Sequence, residues 1–152
     1  MNPPRQPDLI QRRLATMHHR AFAAPAYINT HGMPHSLEDL DHHQLIGYDD
    51  TFHPPFVEIN WMLNAGLDGN QSRRPVLRVN NIYGMYRAAA SGLGIAPADY
   101  MGQIAQDLVP VLTEMEGPAF DIYFSYPEEL RHSLRIAVFR DFLLRSTGTD
   151  SN

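Results

Sequence analysis

Asn80 and Asn81 are the residues whose type and setting point most directly to chemistry. They follow the strand pattern Val76-Leu77-Arg78-Val79 and precede a segment in which Ile82, Met85, Tyr86 and Ala89 recur at helical spacing. Two amide side chains therefore sit where a strand ends and a helix begins. Free backbone amides and the helix dipole favour anions and polar groups at such a place. Either one Asn caps the helix and the other is solvated, or at least one of them contacts a ligand. Tyr83, in the first helical turn, is a weaker ligand candidate. Gly47 is the fourth: it either lets backbone come close to a ligand or only relieves strand crowding.

The remaining reactive side chains form no recognisable catalytic or metal pattern. His18-His19 and His42-His43 are adjacent pairs, and neighbours on a strand point to opposite faces, which does not suit a shared metal. His31 and His35 are separated by Gly32 and Pro34, so they do not stack on one helix as an H-E-x-x-H zinc site requires. Ser125 and Ser133 lack a Gly-x-Ser-x-Gly setting, and Asp49-Asp50 and Glu128-Glu129 read as solvated turn charges. Glu114 and Glu116, beside Gly117-Pro118, read as loop charges. Cysteine is absent, which excludes disulfides and thiolate metal sites. No phosphate-cradling glycine loop is present. The expectation is a non-enzymatic protein with no metal and no cofactor.

The elements that must position Asn80 and Asn81 are those of an α/β protein. Residues 1–8 read as Pro-rich coil, 9–14 and 19–24 as short strands, and 26–29 as one helical turn after Pro25. His31-Gly32-Met33-Pro34 is a turn, and Ser36 to Leu40 opens as a short capped helix, Ser36 and Asp39 forming the reciprocal pair. Strands are expected at 44–48, at 57–63 from its apolar–polar alternation, at 76–79 and from 93. Loops are expected at 49–56 and 68–72. Gly92 closes the helix that begins after Asn81, and the short strand–helix–strand links imply a right-handed parallel crossover. A helix follows near 99–106, and the strand at 108–112 contains Pro110, which favours an edge or a bulge. The strongest strand pattern is 121–126. A last helix spans about 133–145, with Leu134, Ala137, Val138, Phe139, Phe142 and Leu143 on a broad apolar face suited to docking on a sheet.

Composition bounds the partners. The net charge is −5, all twelve basic residues are scattered arginines, and no basic run forms a phosphate-gripping stripe, so direct DNA contact by this chain is not expected. No apolar run reaches the roughly 18 residues that span a bilayer, and residues 1–8 show no signal-peptide core. A cytoplasmic protein with no membrane contact is the expectation.

Three groups of residues, in order, resemble the effector-binding domain of LysR-type transcriptional regulators. The first is Asp8-Leu9-Ile10 to Arg12-Arg13-Leu14, then Ala24 to Ile28, His31-Gly32-Met33-Pro34, Ser36 to Leu40, His43 and Ile46-Gly47-Tyr48. The second is Val79-Asn80-Asn81 with Ala88-Ala89-Ala90-Ser91-Gly92-Leu93-Gly94-Ile95-Ala96. The third is Ile122 to Pro127 with Ser133-Leu134-Arg135 and the helix around Phe139 to Leu143. The resemblance implies an α/β fold like the type 2 periplasmic binding proteins, with a small-molecule effector held between two lobes, and it places effector contacts near Asn80-Asn81. It implies that residues 1–44 are part of lobe one and the crossover, 45–118 a nearly complete lobe two, 119–146 the return strand and helix of lobe one, and 147–152 a disordered tail. Against the family pattern, the helix-turn-helix, linker helix and opening elements of lobe one are missing, and Pro97-Ala98-Asp99-Tyr100 runs about one residue short. Strands 9–24 and 121–126 would then expose sheet edges, so marginal stability and self-association are expected. The functions implied are effector sensing and oligomerisation within a transcription regulator. The alternatives are a headless decoy pairing with a full-length LysR-type relative, a remnant of a truncated gene and, last, a stand-alone solute-binding or enzymatic domain.

Overall fold

The structure, a computed structural model, describes residues 8–49, 51–52, 54, 58–97 and 107–146. The chain forms two compact units, one from residues 1–17 with 119–152 and the other from residues 18–118. The expected helix at 99–106, the shortened Pro97–Tyr100 segment beyond Pro97, the coil at 1–7 and the tail at 147–152 lie outside the described residues.

The larger unit is a mixed α/β body. Its three-stranded sheet has the order β5-β2-β6, with β2 (Ala21–Ala23) central and antiparallel to both β5 (Ala96–Pro97) and β6 (Val109–Val111). Phe22 lies opposite Pro110, so the proline occupies an outer strand of this sheet, where the loss of one ladder donor is tolerated. A second ladder pairs β3 (Ile46–Tyr48) with β4 (Leu77–Val79) in parallel, Gly47 opposite Arg78 and Tyr48 opposite Val79. Leu45 bridges Ile95 in parallel on the other side, and helix α3 (Ile82–Ala90) connects the flanking strands. Residues 18–44, grouped by sequence with the first lobe, pack here with 45–118 because β2 is the strand that β5 and β6 share.

The core of this unit gathers Tyr27, Leu40, Leu45, Ile46, Met62, Met85, Ala89 and Ile95, each at most 2% exposed. Two start signals read from sequence are present as bonds. Ser36 Oγ accepts from the Asp39 amide at 3.3 Å while Asp39 Oδ2 accepts from the amides of Ser36 (3.0 Å) and His35 (2.7 Å). They open a 3-10 helix at Glu38–His42. The strand ends before Pro25, which sits in the first turn of α1 (Pro25–His31), where its missing N–H costs nothing. Gly32 closes α1 at φ 85°.

The strand expected at 57–63 is not formed. Residues 58–60 make a turn and α2 (Trp61–Asn64) is a short helix. The alternation was misleading because Asn60 replaces a neighbouring strand with its side chain. Its Oδ1 accepts from the Tyr48 amide at 2.7 Å and its Nδ2 donates to the Tyr48 carbonyl at 3.0 Å. Glu58, at φ 60°, turns the chain just before it.

In the smaller unit β1 (Leu9–His18) pairs with β7 (Ala119–Pro127), and α4 (Leu134–Ser146) follows. The first strand is longer than expected, and the two strands pair with each other. Asp121 gathers polar contacts from both strands: from β1, Thr16 Oγ1 donates to it at 2.6 Å and Arg13 lies 3.6 Å away, and within β7 Tyr123 OH donates at 3.2 Å. These donors, Thr16 first, hold its carboxyl below the usual carboxylate range. The broad apolar face of α4 is only partly covered. Phe139 meets Phe124 edge-on at 5.7 Å, yet Leu134, Val138, Phe139 and Phe142 are 79%, 59%, 51% and 55% exposed. A two-stranded sheet is too narrow to bury a helix face that wide.

Candidate ligand-binding site

Parallel pairing of β3 and β4 brings their C-terminal ends level, with Asp49 and Asn80 as the next residues of each. Asn81 caps α3: its Oδ1 accepts from the Gly84 amide at 2.6 Å, satisfying one orphan donor of the first turn. Its Nδ2 reaches Asn80 Oδ1 at 3.4 Å. The Asn80 carbonyl accepts from Tyr48 OH at 2.8 Å, which fixes the backbone while the Asn80 side chain remains exposed. Tyr83 is 60% exposed and its ring lies 6.2 Å from that of Tyr86. Asp49 completes the edge. Its Oδ1 takes the amide and hydroxyl of Thr51, and those two bonds, with the Arg78 guanidinium as a smaller influence, keep its carboxyl ionised below the ordinary range.

Three of the four sequence candidates, Asn80, Asn81 and Tyr83, thus share one exposed edge. Gly47 does not join them. It is buried, and a Cβ there would lie 3.3 Å from Leu63 Cδ1 and 3.4 Å from both Asn60 Oδ1 and Pro75 Cγ. Its lack of a side chain is accounted for by packing.

A cavity in the same unit, about 520 Å³, escaped the sequence reading. Leu37, Trp61, Ala65, Met115 and Pro118 give it apolar walls. Glu58, Asn60, Asn64 and Glu116 supply polar atoms. Behind one wall lies Arg73, whose side chain is 7% exposed. Its Nη1 donates to the carbonyls of Ala65 (2.6 Å) and Met62 (3.1 Å), Nη2 to that of Leu37 (2.9 Å), and Nε to Asp41 (2.6 Å). One planar fork therefore fastens two lining residues and the helix between them. No spacing rule would have exposed this. Arg73 lies in a polar stretch, and its partners are 8 to 36 residues away.

His31 and His43 pack around Tyr27. Tyr27 stacks on His31 at 4.2 Å, places its hydroxyl 3.1 Å from His43 Nδ1 and accepts from the Gln44 amide at 2.8 Å. Burial, then the charge of His31, hold His43 below the ordinary imidazole value, and burial pushes the Tyr27 hydroxyl up. Among the described residues no group of three or more His, Asp or Glu is placed to hold a metal ion.

The LysR substrate binding domain family matches residues 1–148. This chain belongs to the LysR substrate-binding domain family. The chain is 30% identical over 148 residues to the HTH-type transcriptional regulator CrgA of Neisseria meningitidis serogroup C, covering 91% of this chain and 47% of CrgA. An uncharacterised HTH-type regulator of Haemophilus influenzae is 28% identical over 133 residues, 82% of this chain and 43% of its own. The LysR-type chain thus spans under half the length of these curated relatives. The solved regulatory domain of CrgA superposes with a TM-score of 0.72 at 25% identity, over 96% of this chain and 72% of that one. The fold is therefore the mixed α/β LysR regulatory-domain fold, like the type 2 periplasmic binding proteins. Among the described residues, no helix of this LysR-type domain is long and apolar enough to cross a membrane.

Proposed function

We propose that this domain is the effector-sensing and oligomerisation part of a transcription regulator, and that it binds a small molecule at the edge formed by Asn80, Asn81 and Tyr83. The reading rests on one observation above the rest. Two exposed amides and an exposed phenol collect where parallel strands end and α3 begins, with the backbone beneath them fixed by Tyr48. A bound effector would change transcription by favouring one arrangement of the intact regulator, which requires different affinities for its two states. DNA would be contacted by other parts of such a regulator, since this chain carries a net charge of −5 and no basic stripe. Gly47 would serve as backbone support only.

A second reading, favoured by the exposed face of α4, is an interaction role: pairing with another copy or with a full-length LysR-type relative. In both readings the protein is cytoplasmic and not an enzyme.

The test is calorimetric titration of hits from a small-molecule screen into wild type and into Asn80→Ala and Tyr83→Ala. Both variants remove exposed side chains. Loss of one hydrogen bond or ring contact should weaken a true effector by about tenfold or more. Hits that bind both variants as well as wild type would remove this edge from consideration.

A further inference from the structure

The cavity beside Trp61 shares no lining residue with the Asn80 edge, and its chemistry is different. Its volume, about 520 Å³, is that of a small-molecule site. The walls are fixed rather than adaptable. Arg73 ties down Leu37 and Ala65 through their carbonyls, and Gly117 packs so closely that a Cβ on it would lie 3.0 Å from Trp61 Cε2. The polar lining carries one sign of charge. Glu58 and Glu116 are exposed carboxylates, and among the described residues no Lys, Arg or His lines the space. Two basic side chains near the walls are engaged: Arg73 with Asp41 and three carbonyls, and His18, whose Nδ1 lies 3.3 Å from Glu116 and 3.4 Å from the Gly117 carbonyl. Glu58 holds a left-handed backbone at φ 60°, a conformation that persists for a side-chain-bearing residue only where its surroundings impose it.

We propose that this cavity is a second binding site, within the larger unit, for a small organic cation: an ammonium group carried on an apolar, ring-sized body. The ammonium sits between Glu58 and Glu116 while the body packs against Trp61, Met115 and Leu37. The aromatic ring adds attraction for a cation, and an anion is repelled by the two carboxylates.

Trp61 is the single tryptophan of the chain, so its fluorescence reports on this cavity directly. The experiment titrates the full chain, at about pH 8 where imidazoles are neutral, with benzylammonium chloride, benzyl alcohol and sodium benzoate, which share a ring and differ in charge. Benzylammonium should give a saturable change with a dissociation constant in the millimolar range, the scale for ligands of so few atoms. Benzyl alcohol should bind several-fold more weakly and benzoate not at all. The double variant Glu58→Gln/Glu116→Gln should bind benzylammonium about tenfold more weakly and benzyl alcohol as wild type, the latter showing that the cavity is intact. Asn80→Ala should leave every titration unchanged, which separates this site from the edge above α3. Benzoate binding as tightly as benzylammonium would overturn the proposal. So would a double variant that binds benzylammonium like wild type, or the absence of a saturable change with any probe.

Discussion

Removing Arg73 should cost more stability than any other single polar truncation in the larger unit. Its guanidinium makes three bonds to backbone carbonyls, at 2.6, 2.9 and 3.1 Å, and one to Asp41 at 2.6 Å. A bond from a charged donor contributes roughly 1.5–3 kcal/mol net. The three carbonyls are only partly buried and regain some water on truncation, so the lower figure applies, giving about 4 kcal/mol for Arg73→Ala. The Asp41 partner is half exposed (49%), and solvent screening limits that ion pair to about 0–1 kcal/mol. Arg73→Lys keeps the charge but cannot reach three diverging carbonyls, and should lose about 2 kcal/mol. Asp41→Asn should lose at most about 1 kcal/mol. Urea unfolding followed by Trp61 fluorescence measures all three variants in the unit that contains them. At an m-value of about 1.5 kcal/mol/M, Arg73→Ala should move the midpoint by roughly 2–3 M. Two results would refute the reasoning: a loss below about 1 kcal/mol in Arg73→Ala, or a loss in Asp41→Asn equal to that in Arg73→Ala. The second would show that the ion pair, not the carbonyl staple, holds the wall.

Asn81→Ala should lower stability by about 1 kcal/mol through loss of the α3 cap while Asn81→Asp retains it, a difference readable in the same unfolding curves. Gly117→Ala places a Cβ 2.6 Å from the His19 carbonyl oxygen and 3.0 Å from Trp61 Cε2, and should cost about 1–3 kcal/mol with a shifted Trp61 emission maximum. His43 is held below its ordinary 6.5 in the folded chain, so the unfolded chain takes up its proton first on acidification. Its contribution is therefore complete above about pH 6.5 and is lost as pH falls below that value, well above the range where Asp39 and Asp49 lose theirs. His43→Gln should flatten the stability profile between about pH 7 and 5, and an unchanged slope would assign the loss to another group.

What could be read from sequence was whatever is encoded locally. The Ser36–Asp39 reciprocal pair, the Asn81 cap, the Gly92 stop and the outer-strand setting of Pro110 each depend on residues within a turn of one another, or on a single missing donor. Asn80, Asn81 and Tyr83 were found together for that reason. The strand expected at 57–63 failed because its decisive interaction links Asn60 to Tyr48, twelve residues back, and outweighs an apolar–polar alternation seven residues long. The Trp61 cavity was invisible for the same cause: its lining comes from three stretches of chain, and the arginine that sets its shape lies outside it. The apolar face of α4 was legible as suited to docking on a sheet, but how much of it is covered depends on the width of that sheet, which is not a property of the helix.

The side-chain amide of Asn60 has a consequence for how faithfully β3 and β4 align. Their ladder pairs only three residues on each strand, with a glycine in the middle of one, and so short a ladder specifies its alignment weakly. A slip of one residue would turn Ile46 and Tyr48 from one face to the other. Asn60 guards against it by recognising the N–H and the C=O of Tyr48 at once, and the Tyr48 hydroxyl adds a third check at the Asn80 carbonyl. A shifted strand would forfeit all three bonds together. The alignment that brings Asp49 and Asn80 level is thus proofread from outside the ladder, by a residue that belongs to neither strand.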